Sequence, residues 1–188
     1  MEPDKRLLSL DALRGFDMMF IMGFAAIITA VCRLFPGGDE SWLCLQMSHV
    51  PWDGLRHFDT IFPLFLFIAG ISFPFSLAKQ QSRGSSPWQI HRKILKRGLV
   101  LVLLGLVYNG LFDLEWSTLR FYSVLARIGL AWMFAALIQI HFKTGARVVI
   151  AVVLLVGYWL LLKFVPAPDA PGADPFSLEG NLVAYVDR

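Results

Sequence analysis

An all-α bundle of membrane-spanning helices is the fold class that this sequence predicts. Three observations carry the prediction: the composition, the length of the apolar stretches, and the sorting of Lys and Arg among the segments that join them. Of 188 residues, 56% are hydrophobic and only 16% charged, and the mean hydropathy is +0.60. An ordinary soluble domain does not have this balance. Crossing the hydrocarbon core takes about 20 apolar residues, and five stretches are near that length: roughly 10–31, 60–78, 94–112, 121–142 and 146–165. Lipid offers no hydrogen-bond partner to a bare backbone, so each should be a helix.

Taken in order, the first stretch is long enough to span by itself, and no Ala-x-Ala-type cleavage site follows it. It is expected to be an uncleaved anchor. In the second, Pro63 falls in the first turn and is tolerated there, whereas Pro74 lies deeper and should kink the helix. Basic residues then alternate from loop to loop. Lys5 and Arg6 precede the first span; Lys79, Arg83, Arg92, Lys93, Lys96 and Arg97 separate the second from the third; Lys143 and Arg147 separate the fourth from the fifth. The opposite loops hold few cations and many acids. This bias places the N-terminus in the cytoplasm, the 33–58 loop outside and the turn-rich 166–188 tail outside. The net charge of +3 therefore reads as membrane orientation, with no nucleic-acid partner expected. The chain is expected to be one membrane domain, 1–188.

A few ionisable side chains stand out against this background, because each costs several kcal/mol near hydrocarbon unless it is paired or hydrated. Asp11, Arg14 and Asp17 recur every three residues at the start of the first span and share a helical face. They suit either an ion-pair ladder locking helices together or, through Arg14, a site for an anionic ligand. His49, in the run Ser48-His49-Val50-Pro51-Trp52-Asp53-Gly54, can exchange a proton near neutral pH or carry an acyl group. Asp53 and Asp59 are the carboxylates near enough in sequence to orient it. A solvated loop histidine is the plain alternative, and His57 has the same ambiguity. Arg127 lies within the fourth span, Arg120 seven residues earlier lies on much the same face, and Asn109 is a polar group in the third. With Asp11 and Trp52 they are candidate cavity residues. Cys32, Cys44, His49 and His57 lack paired metal-ligand spacing, so no metal is expected. The two cysteines are read as buried or free thiols, with a disulfide as the other possibility. The six cations within 79–97 fit anionic lipid or a phosphorylated cofactor arriving from the cytoplasm.

These residues also carry a resemblance. Arg6-Leu7-Leu8-Ser9-Leu10-Asp11-Ala12-Leu13-Arg14-Gly15, the His49-Val50-Pro51-Trp52-Asp53-Gly54 block, Asp59-Thr60-Ile61-Phe62-Pro63-Leu64-Phe65 and Ser123-Val124-Leu125-Ala126-Arg127-Ile128-Gly129 together resemble the heparan-alpha-glucosaminide N-acetyltransferase family and its bacterial membrane acyltransferase relatives. Where that family has a polar, asparagine-bearing segment, this chain reads Cys32-Arg33-Leu34-Phe35-Pro36. The resemblance implies a transmembrane acyltransferase with about twice this many spans, so the chain is expected to be the N-terminal half of a roughly ten-span protein. It implies acetyl transfer from cytoplasmic acetyl-CoA to an amino-sugar or glycan acceptor outside, in a bacterial inner membrane. It places the active histidine at His49, with Asp53 or Asp59 as its acid and with Arg14 and Arg127 steadying the cofactor. The other expected partners are membrane lipid and, in a homodimer, a second copy. Two rival readings remain at this stage: half of a transporter with a polar intramembrane path, and a non-catalytic membrane subunit.

Overall fold

A computed structural model describes residues 8–109 and 123–187. Among them every regular element is helical, and four helices are long and apolar enough to cross a membrane. The chain is therefore an integral membrane protein of the polytopic helical class. It forms two compact units, Met1–Ser86 and Pro87–Arg188.

In the first unit, the first span runs through α1 (Leu8–Met19), a π-helical turn (Phe20–Phe24) and α2 (Ala25–Cys32). Gly23 sits in this turn with φ of 120°, a conformation open to glycine and costly for other residues. The second span is α4 (His57–Ser82), which packs against α1. Phe20, Ala25 and Ile61 form the buried centre, with Phe24, Ile28, Met47 and Phe58 packed around it.

Helix α4 begins three residues ahead of the expected span, because the Asp59 carboxylate caps its first turn by accepting the Arg56 N–H at 2.9 Å. Pro63 consequently lies in the second turn. It and Pro74 are both inside the helix, and each deprives the carbonyl four residues earlier, on Asp59 and Gly70, of its usual donor. The 33–56 connection contains the short helix α3 (Trp42–Gln46), capped by Ser41. Cys32 and Cys44 are free thiols, both buried.

The second unit is built on α5 (Pro87–Tyr108) and α6 (Val124–His141). They run antiparallel in one register: a Cβ on Gly98 would meet Met133, one on Gly105 would meet Ser123 and Ala126, and one on Gly129 would meet Leu101. Ile94, Gly98 and Gly105 are buried on one helix and Ala126, Gly129, Met133 and Ala136 on the other. Small residues let two backbones approach within dispersion range, which is how helices associate where water supplies no driving force.

The 79–97 segment is correspondingly helical at both ends and not a loop. Arg92, Lys93, Lys96 and Arg97 ride on α5, and Arg97 stacks over the Trp132 ring at 4.3 Å. The charge-free described part of α5 is 98–108, shorter than a crossing needs, while 110–112 of the expected third span lie outside the described residues. Helix α7 (Thr144–Phe164) buries none of its residues. Beyond it the tail turns back through an Ala167 N–H to Gly180 carbonyl bond of 3.0 Å. Asn181 then caps the six-residue α8 (Leu182–Asp187) through the N–H groups of Val183 and Ala184.

Candidate active site

The His49 segment is held from three sides. Gln46, the last residue of α3, accepts the His57 backbone N–H at 2.8 Å, which ties α3 to the start of α4. Arg56 donates from Nη1 to the Ser48 hydroxyl at 2.6 Å and to the His49 carbonyl at 3.0 Å. Phe58 lies edge-on to the His49 ring, with centroids 4.8 Å apart. The result is a loop whose backbone and ring are both positioned.

His49 Nδ1 lies 2.6 Å from Asp59 Oδ1. A carboxylate can only accept, so Nδ1 carries the hydrogen and, in the neutral ring, Nε2 keeps its lone pair. Nε2 bonds to none of the described residues, and the side chain is 67% exposed. Asp59 thus works twice, capping α4 through Oδ2 and fixing the tautomer of His49 through Oδ1. Of the two carboxylates open from the sequence, Asp59 is the one in contact. Asp53 is exposed in the turn beside Trp52 and bonds to none of the described residues.

The other expected residues separate. Arg14 donates to Asp11 at 3.2 Å and to the Ser72 hydroxyl of α4 at 3.0 Å, so the ladder is an Asp11–Arg14 pair plus a crossbar between helices. Asp17 is outside it: the residue is 1% exposed, and neither carboxylate oxygen has a hydrogen-bond partner. In the second unit, the Arg127 guanidinium grips both carboxylate oxygens of Asp187. The Asn109 N–H closes the last described turn of α5 on the Gly105 carbonyl, and Arg120 lies outside the described residues. Arg14 and Arg127 belong to different units, each engaged by a carboxylate of its own. No group of three or more His, Cys, Asp or Glu side chains suited to a metal occurs among the described residues.

Sequence reasoning missed Arg56, Ser72 and Asp187. Arg56 gives no helix-start signal of its own, since a guanidinium has no acceptor for a backbone N–H. Ser72 and Asp187 carry no local signal, because their partners lie 58 and 60 residues away.

What fold and site define together is an integral membrane protein with an acid-oriented histidine at the head of a span. No family model matches the chain. Two curated proteins do, both heparan-alpha-glucosaminide N-acetyltransferases. The one from Homo sapiens is 26% identical over 97% of this chain and 31% of its own length; the one from Mus musculus is 29% identical over 75% of this chain and 21% of its own. These similarities support the family relationship that the motifs suggested. The chain spans a third or less of the length of these curated relatives.

Proposed function

We propose that this chain is part of an integral-membrane acyltransferase that moves an acetyl group from cytoplasmic acetyl-CoA to the amine of an amino sugar, glucosamine-like, on the outer side. The observation that carries the reading is the His49–Asp59 pair, held rigidly while Nε2 stays open to solvent. The similarity to N-acetyltransferases supplies the reaction class. An amine attacks the thioester carbonyl only when its nitrogen lone pair is free, so a base must remove a proton from it. His49 Nε2 is such a base. Asp59 steadies the imidazolium that forms, and the same nitrogen then returns the proton to the departing thiolate. A transient acyl group on Nε2 is open to the same geometry.

The distribution of cations supports an outer position for His49 and a cytoplasmic N-terminus. Arg14 is the better placed of the two arginines to meet the cofactor. A single oxygen of Asp11 pairs with it, whereas both oxygens of Asp187 grip Arg127. Asp53 and Trp52 then border the acceptor's approach.

The test is acetyl transfer from acetyl-CoA to glucosamine by the full-length protein in vesicles. His49→Ala should lower the rate by about 10²–10⁴-fold, and an unchanged rate removes the histidine from the mechanism.

A further inference from the structure

Asp17 is the charged side chain that the reading above leaves without a task. It is buried in the first span to 1% exposure, and both its oxygens are unpartnered. A buried polar group left unsatisfied is destabilising, and more so when it is ionisable, so packing gives no reason for it. The nearest cation in sequence, Arg14, is committed to Asp11 and Ser72.

What stands beside it is His57. The imidazole packs edge-on to Phe20 at 4.7 Å and to Phe16 at 6.3 Å, residues on either side of Asp17 in the first span. The ring nitrogens of His57 bond to none of the described residues; only its backbone N–H is engaged, by Gln46. An unpartnered carboxylate and an unpartnered imidazole are thus linked through the same two phenylalanines, Phe16 and Phe20. The helix breaks into its π-helical turn three residues beyond Asp17, and such turns frequently accompany functional sites. The other charged groups at this end of α4 are occupied with one another: Asp59 with His49 and the Arg56 N–H, and the Arg56 side chain with Ser48.

We propose that Asp17 and His57 form a second acid–imidazole couple, which holds a proton released in acyl transfer and passes it to solvent. This rests on the acetyltransferase reading and follows from its proton balance. At neutral pH the acceptor nitrogen is an ammonium with three hydrogens, and the amide product keeps one. As the N–C bond forms and the C–S bond breaks, one proton goes through His49 to the thiolate and becomes the thiol hydrogen. The second has to leave, and His49 cannot hold both. His57 and Asp59 lie in the same first turn of α4, which links the couple to the acid that orients the base.

The test uses the full-length protein. Infrared difference spectra against Asp17→Asn isolate the carboxyl band of Asp17, and Asp17→Glu, which shifts that band, secures the assignment if the Asn variant misfolds. Two groups sharing a proton titrate together, so His57→Gln should move the titration of the band by about one pH unit or more. A band that titrates identically without His57 overturns the couple. In acetyl transfer, Asp17→Asn should lower kcat about tenfold or more with little change in KM. Asp17→Glu, or added small weak acids, should restore part of the rate. A kcat equal to that of the native protein overturns the assigned role. If the native protein transfers no acetyl group, the acetyltransferase reading falls, and the infrared titration still decides whether the couple exists.

Discussion

The α1–α4 pair and the α5–α6 pair solve the same problem, bringing two helices together in an apolar solvent, by different means. Between α5 and α6 the buried contact is made of isoleucine, glycine, alanine and one methionine in a single antiparallel register, with Arg97 over Trp132 and His91 against His141 beside it. No polar side chain is buried there among the described residues. Between α1 and α4 the contact is aromatic and polar: an Arg14–Ser72 crossbar, a histidine ring against two phenylalanines, and an unsatisfied carboxylate. Close backbone packing is the stabilising solution, since it gathers dispersion without desolvating charge. Charge placed near hydrocarbon is costly; in α6 Arg127 is paired with Asp187, whereas the unsatisfied carboxylate lies in the unit that holds the acid-oriented histidine. The α5–α6 pair is built for close packing within its own unit, and the α1–α4 pair accepts lower stability in exchange for reactive groups.

The contrast breaks most sharply at Asp59. Asp59→Asn keeps the size of the side chain but presents an amide that can donate toward Nδ1, which allows the ring to reverse its tautomer and lose the free lone pair at Nε2. Acetyl transfer should fall by at least about 10²-fold, with the helical content of the protein preserved. A rate within a factor of two of native would mean that the 2.6 Å contact orients nothing that reacts.

The next largest effect belongs to the other pair. A Cβ on Gly129 would stand 2.8 Å from the Leu101 Cβ and 2.9 Å from the Gly98 carbonyl oxygen, and backbone cannot yield as a flexible side chain can. Gly129→Val should destabilise by about 1–3 kcal/mol, read as a lowered unfolding midpoint in detergent. Gly157→Ala in α7, where an added Cβ meets nothing within 4 Å, should be neutral or slightly stabilising. Equal effects at the two positions would show that α5–α6 packing is not what those glycines serve.

How far the sequence reveals this division follows from the range of each interaction. The helical membrane class was legible, because hydrophobic run length is a local property. The His49–Asp59 pairing was half legible: both acids were within ten residues, and only the helix start at His57 decided between them. The 79–97 segment was misjudged as a loop, because Arg and Lys are good helix formers whose long stems let an apolar helix begin while its charges still reach water. The fate of Arg127 was not legible, since Asp187 meets it only after α7 and the tail have turned back. The acid–base–acid ladder failed at its last rung for a geometric reason. Arg14 places its guanidinium against Asp11 and the Ser72 hydroxyl of α4, and no donor of it reaches the Asp17 oxygens.

The smallest effect sharpens the comparison at two helix caps. Ser41 accepts the Cys44 N–H at 3.3 Å to start the five-residue α3, and Ser123 accepts the Ala126 N–H at 3.1 Å to start the 18-residue α6. Each Ser→Ala change removes one cap, worth roughly 1 kcal/mol, but the consequences should differ in kind. Ser123 sits against Gly105 at the α5–α6 contact, so its loss should appear as global stability, a small drop in the unfolding midpoint with acetyl transfer intact. Ser41 caps α3 and reaches the Cys32 Sγ at 3.8 Å; α3 ends at Gln46 and through it grips the His57 N–H. Ser41→Ala should leave the midpoint nearly unchanged and lower transfer a few-fold by loosening the His49 loop. Should the two substitutions act alike on both measurements, the two helix pairs would not differ in what they are built to do.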